Sequence, residues 1–220
     1  NQFSDEALLE ALDELVHVGD HYQLYPANPV ARAMSRSFMR SLTTKAQIDG
    51  IENLRSAMAQ GPVLMFSNHL AYCDTQLKDV LLTDAGASDL ANTILAVAGP
   101  KVYGTVFRRF ASVALTTMKT AQSSSTAHNE SGLSPREVAT IAIETVHRAV
   151  GFMGEGRPVL IYAEGSRSRD GRLQPFLRAV RKYTKVPGLR MVPVAISGSN
   201  RMMPINQPRM FPVPVTIQIG

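Results

Sequence analysis

A chain of 220 residues that is 45% apolar and 19% charged can bury the core of one α/β domain with a small appendage, and is too apolar to be disordered. Its longest wholly apolar runs, Val63 to Phe66 and Val159 to Ala163, fall far short of the about 20 residues that cross a bilayer. The net charge of +5 is unevenly spread, because residues 164–190 hold eight Arg or Lys against two acids, which points to an anionic partner such as a phosphate, a nucleic acid or an acidic membrane surface.

The chain opens without the basic and apolar regions of a signal peptide, so no secretory leader is expected. Ser4 can cap a helix over 4–18, with Asp5 and Glu6 at its positive end and Leu8, Leu9, Leu12, Leu15 and Val16 as its apolar stripe. A second helix is expected over 30–42, with Val30, Met34 and Phe38 on one face and Arg32, Arg36 and Arg40 on another. A basic amphipathic helix of this kind can lie on an anionic membrane surface or pack on its own domain. Residues 1–47 read as an N-terminal helical segment and 48–220 as the main domain.

From residue 51 the pattern alternates. Helices are predicted over 51–59, 73–84, 134–153 and 175–184, and strands over 62–67, 93–98, 111–117, 158–163 and 191–196. A further strand is predicted just before the C-terminal Gly220. Pro135 suits the first turn of its helix. This alternation predicts an α/β fold with a mostly parallel central sheet flanked by helices. The Ser- and Thr-rich stretch from Gln122 to Gly132 reads as a mobile loop.

Two constellations carry chemistry. The strand through Val63 to Phe66 runs into Ser67-Asn68-His69-Leu70-Ala71-Tyr72-Cys73-Asp74, and reactive groups in open α/β sheets gather where strands end. On an ideal helix His69 and Asp74 would lie about 140° apart. They can meet if His69 sits in the turn before the helix, where the pattern places it, and the carboxylate then orients the imidazole. The second constellation, Glu164-Gly165-Ser166-Arg167-Ser168-Arg169, also follows a strand. Gly165 permits a tight turn, and Arg167 and Arg169 can point the same way, as guanidinium groups suited to phosphate oxygens. Met191 to Ile196, with Pro193, reads as a strand near a sheet edge or start.

At these residues the sequence resembles the glycerolipid acyltransferases, the family of glycerol-3-phosphate and lysophosphatidic acid acyltransferases. Asn68, His69 and Asp74 are similar to the family's NH-x4-D motif. Glu164, Gly165, Ser166 and Arg167 look like its third motif, and Val192-Pro193-Val194 its fourth. The lead-in Gly50 to Leu54 is also similar, and the resemblance spans about residues 48–200. The second motif is the weak match: its basic residue falls at Arg108-Arg109 or, preferably, at Lys119. The doubled Arg167 and Arg169 look more like the glycerol-3-phosphate branch.

The resemblance implies transfer of a fatty acyl group from acyl-CoA or acyl carrier protein to the hydroxyl of a phosphorylated glycerol, in phospholipid biosynthesis. His69 would be the general base, assisted by Asp74, while Lys119, Arg167, Arg169 and Arg109 would hold the acceptor phosphate. No cofactor or metal is expected. A cytoplasmic location is, at most peripheral to the inner face of the membrane; the single cysteine, Cys73, suits a reducing compartment.

Two other readings stand beside this one. Cys73, at the expected helix start, could act as a nucleophile with His69. Alternatively, residues 164–190 could belong to a non-catalytic protein that binds anionic lipid or nucleic acid. Base reading is not expected, given the absence of Trp, of zinc-finger spacing and of a Walker loop.

Overall fold

Local capping chemistry starts most of the long helices in the computed structural model, which describes residues 3–43, 45–121, 132–205, 207 and 209–220. Ser4 accepts the Ala7 N–H ahead of α1 (Asp5–His17). After the short strand β1 (Leu24–Tyr25), Asn28 accepts from Val30 and Ala31 to open α2 (Pro29–Leu42). Then follow β2 (Gln47–Asp49), α3 (Ile51–Gln60), β3 (Val63–Ser67), α4 (Asp74–Asp84), α5 (Ser88–Thr93) and β4 (Leu95–Ala98). A 3-10 turn over Pro100–Tyr103 leads to α6 (Val106–Val113) and β5 (Thr117–Lys119). Ser134 and Glu137 form a capping box at the head of α7 (Pro135–Gly154). The chain ends through β6 (Val159–Tyr162), β7 (Arg190–Ser197), α8 (Ser199–Met202) and β8 (Thr216–Ile219).

The strands form one eight-stranded sheet in the order β1-β5-β4-β6-β3-β7-β8-β2. Five of its pairings are parallel, and β1 with β5 and β7 with β8 are antiparallel. The fold is therefore α/β with a mostly parallel sheet, flanked by helices and preceded by N-terminal ones. The central strands read as continuous apolar runs because both faces are covered. Leu64, Val159 and Ile161 pack with Phe152 and Met153 of α7. Met65 and Leu160, one residue out of phase, pack on the other face with Leu77, Val80 and Leu81 of α4.

Two predicted elements are corrected. The strand expected over 111–117 is instead the end of α6 followed by β5, which starts only at Thr117. Thr105 caps that helix by accepting the Arg108 N–H, and Val106, Phe110 and Val113 recur at helical spacing, which outweighs the β-branched content. The helix expected over 175–184 is a 3-10 turn at Arg178–Lys182. Pro175 cannot donate into a helix, and the backbone turns aside to bond Leu177 N to Ala163 O at 2.8 Å. The stretch expected as a mobile loop lies, from Gln122 to Ser131, outside the described residues.

The N-terminal helices also differ from expectation in what they bury. In α1 no residue is buried, and Leu9, Leu12 and Val16 are exposed. In α2 the inward face is Ala31, Ser35, Met39 and Leu42, leaving Met34 and Phe38 exposed. Its basic stripe faces α4, where Arg32 and Arg36 pair with Asp79 and Arg40 pairs with Asp84. Among the described residues no helix is long and apolar enough to cross a membrane.

Candidate active site

The C-terminal ends of β3, β6 and β7 converge on one loop cluster. Asn68, just past β3, is tied to the end of β7 by two hydrogen bonds: its amide donates to Ile196 O at 2.9 Å and its carbonyl accepts from Ile196 N at 2.8 Å. This clamp fixes the backbone into His69. In β7, Pro193 O accepts from Gly220 N. Since both backbone groups of a strand residue face the same side, its missing N–H falls where β8 has already ended.

His69 lies in the turn before α4 and Asp74 is the first residue of that helix, so the two meet: His69 Nδ1 is 2.9 Å from Asp74 Oδ2. The same oxygen accepts from Leu70 N at 2.7 Å and Ala71 N at 3.0 Å. Burial pushes the fully buried Asp74 carboxyl up, but the His69 hydrogen bond, the Lys78 and His69 charges and the Ala71 N–H outweigh it and hold the group below its ordinary range. No hydrogen bond from the described residues reaches His69 Nε2. The imidazole stacks on Tyr162 with ring centres 4.1 Å apart, and the Tyr162 hydroxyl bonds Thr75 Oγ1 at 2.7 Å.

Glu164 is buried and bridges backbone: Oε1 accepts from His69 N at 2.7 Å and Oε2 from Gln174 N at 2.9 Å. Ser168 N donates to His69 O at 2.7 Å. The turn between them needs Gly165, whose φ is +70° and where a Cβ would come within 2.1 Å of Leu177 Cδ1. Ser166 and Arg169 point outward, exposed.

Arg167 is brought to the site by Tyr72, over whose ring its guanidinium lies at 3.9 Å. A second guanidinium, that of Arg108 on α6, lies 4.0 Å from the same ring. Arg109 instead bonds Tyr103 O and Val16 O, and Lys119 bonds Gly19 O and lies over Tyr22. The cations expected at the second motif thus hold the N-terminal segment, while their neighbour Arg108 joins Arg167. Sequence reasoning missed Arg108 because it read a strand there. On a helix Arg108 and Arg109 diverge by about 100°, and this periodicity was the available signal.

Two further residues shape the chemistry. The Cys73 thiol is buried against Met202 sulfur at 4.0 Å, and burial, with the Asp74 charge, pushes it well above the ordinary thiol range. A thiol in that state is a poor nucleophile. Lys78, one turn after Asp74, is only 2% exposed and lies 5.1 Å from the Tyr162 ring centre. Burial lowers its ammonium to about 8, against the opposing pull of Asp74.

The Lys78 shift has a measurable consequence. Between about pH 8 and 10.5 the unfolded chain holds a proton on Lys78 that the folded one has released, so folding gains stability as pH rises through this window. The stability of Lys78→Met minus that of the wild type is therefore expected to fall by roughly 3 kcal/mol from below pH 8 to above 10.5. Chemical unfolding at a series of pH values reads the gap directly, and a constant gap would contradict the assignment.

An apolar cleft of about 460 Å³, open to solvent, adjoins Tyr72 and Cys73 and is lined by Phe38 and Met39 of α2 and Phe107, Arg108 and Phe110 of α6. Among the described residues no group of three His, Cys, Asp or Glu side chains could hold a metal ion.

Comparison with known proteins agrees with this architecture. The acyltransferase family matches residues 45–197. Over 62 residues, 28% of this chain, the sequence is 31% identical to the chloroplastic 1-acyl-sn-glycerol-3-phosphate acyltransferase BAT2 of Brassica napus. That match spans only 18% of the relative's length. The fold is similar to the crystal structure of the 1-acyl-sn-glycerophosphate (LPA) acyltransferase PlsC from Thermotoga maritima, with a TM-score of 0.52 and 14% identity, covering 98% of this chain and 75% of that one. At that identity the likeness is one of fold. The chain belongs to the acyltransferase family.

Proposed function

We propose that this member of the acyltransferase family moves a fatty acyl group from a coenzyme A or acyl-carrier-protein thioester to the free hydroxyl of a phosphorylated glycerol, as a step of phospholipid biosynthesis. The observation that carries the reading is the pairing of the His69–Asp74 dyad with the Arg167 and Arg108 guanidinium groups across Tyr72. With Nδ1 held by Asp74, Nε2 of His69 is the nitrogen left to take the acceptor's hydroxyl proton. The alkoxide oxygen forms a bond to the thioester carbonyl carbon, the carbon–sulfur bond breaks, and the thiolate leaves to regain a proton.

Arg167, with Arg108, would hold the acceptor phosphate and so place the hydroxyl at the imidazole. Arg169 lies outward on the same turn, where it can add charge. Arg109 and Lys119 are engaged with the N-terminal segment and act on phosphate only at longer range. The apolar cleft beside Tyr72 is of a size suited to a ligand and fits an acyl chain. Lysophosphatidate is the first acceptor to consider, because both named relatives are described as acting on it. The doubled Arg167 and Arg169 keep glycerol-3-phosphate as the second.

The test is thiol release from palmitoyl-coenzyme A, and from palmitoyl carrier protein, with lysophosphatidate, glycerol-3-phosphate or glycerol as acceptor. Release is expected only with a phosphorylated acceptor. Arg167→Ala should raise the KM for that acceptor roughly 10- to 100-fold with little change in the KM for the donor, and Arg108→Ala should act in the same direction. Equal effects on both substrates would remove the phosphate role, and no release with any pair would remove the proposal.

A further inference from the structure

Two basic stripes stand out in the sequence, and the structure treats them in opposite ways. That of α2 is neutralised within the protein by Asp79 and Asp84. Every cation from Arg169 to Arg190 is exposed, and among the described residues none of them forms an ion pair. Leu173, Phe176 and Leu177 lie among these cations with exposures of 64%, 50% and 41%. Large apolar side chains left in water beside unpaired positive charge mark a surface that meets something else.

The segment is not loose. Its start is held by Glu164, which bonds Gln174 N, and by the Leu177 N to Ala163 O bond. Phe176 packs edge-on against Phe66 of β3, and Tyr183 is buried under the sheet. What it presents outward is a fixed array of cations around Leu173, without a groove.

We infer that residues 169–190 form an arm that docks the protein on an anionic lipid surface, with Arg178, Arg181 and Lys182 against the headgroups and Leu173 entering the interface. Cations of this kind each add measurably to binding at an acidic bilayer, and an aliphatic side chain among them gains by leaving water. A fluid surface demands no shape complementarity, whereas an acidic protein partner requires a packed apolar centre that the arm does not offer. Because Glu164 joins this arm to the backbone of His69, docking would bring the active site to the membrane face. That last link rests on the acyltransferase reading above, but the docking does not.

The experiment is co-sedimentation with vesicles of phosphatidylcholine alone or with 3:1 phosphatidylcholine to phosphatidylglycerol, at low and high salt. The chain is expected to bind the anionic vesicles, to release them in salt, and to ignore the neutral ones. The triple variant Arg178→Ala/Arg181→Ala/Lys182→Ala should bind on the order of 100-fold more weakly, while turning over a short-chain, monomeric thioester and glycerol-3-phosphate or a short-chain lysophosphatidate at the wild-type rate. Unchanged vesicle binding by the triple variant would overturn the inference. So would weakened use of acyl carrier protein with intact vesicle binding, which would assign the arm to that acidic partner. Because the chain contains no tryptophan, Leu173→Trp supplies an independent reporter that does not depend on the triple variant folding. Its emission should shift to the blue on anionic vesicles, and an unmoved spectrum would equally overturn the proposal. Vesicle binding without any acyl transfer would leave the docking standing and remove only its link to catalysis.

Discussion

Replacing His69 by alanine is expected to lower turnover 10²- to 10⁴-fold, the range typical of a positioned general base. The loss should appear in thiol release at saturating donor and acceptor, because the imidazole acts on the proton of the attacking hydroxyl and not on binding. The fold should survive. His69 anchors the loop through backbone, its N–H donating to Glu164 and its carbonyl accepting from Ser168, and alanine keeps both bonds. A variant that unfolds at the wild-type temperature and still transfers acyl groups at more than about a tenth of the wild-type rate would remove His69 from the chemistry.

Asp74→Asn tests the other half of the dyad and should cost on the order of 10³- to 10⁴-fold in kcat, through loss of the correct imidazole tautomer. One oxygen of Asp74 serves three donors: His69 Nδ1, Leu70 N and Ala71 N. An asparagine can present its carbonyl to the two backbone N–H groups, but it carries no charge to stabilise an imidazolium. The pH dependence of stability supplies a second readout. Because the folded state holds the Asp74 carboxyl below its unfolded value of 3.8, its contribution is present above that pH and is lost as pH falls through the folded value. The stability advantage of the wild type over Asp74→Asn is therefore expected to shrink on acidification. An advantage that is constant across the acid range, together with unchanged kcat, would show that Asp74 is only a helix cap.

The order of helices and central strands was largely legible because each carries a local signature. Ser4, Asn28 and Ser134 cap α1, α2 and α7 with their own side chains, and the runs Val63 to Phe66 and Val159 to Tyr162 are apolar enough to be buried on both faces. Elements made by long-range pairing were not legible. β1 and β2 have two and three residues, and their strand character comes from Met118 and Thr117 on one edge and from Thr216 to Gln218 on the other. The mistaken strand at 111–117 arose from reading β-branched content where Thr105 had already begun a helix.

The candidate site divides in the same way. His69, Asp74, Glu164 and Arg167 could be picked out because their residue types follow strands at short, fixed spacings, and a turn before a helix can bring a histidine back to the helix's first residue. Three other features depended on contacts across the fold. Glu164 reads as a reactive acid in sequence, yet both its oxygens are occupied by backbone N–H groups ten and 95 residues away. Arg108 reaches Tyr72 only because α6 packs beside the start of α4, which also decides that Arg109 turns to the N-terminal segment. Charge followed the same rule. Composition alone located the basic excess in residues 164–190, since charge is a property of the residues themselves. Which cations stay available was settled by tertiary structure, because neutralisation requires a carboxylate within reach: α4 brings Asp79 and Asp84 to α2 and, among the described residues, no acid pairs with the 169–190 arm.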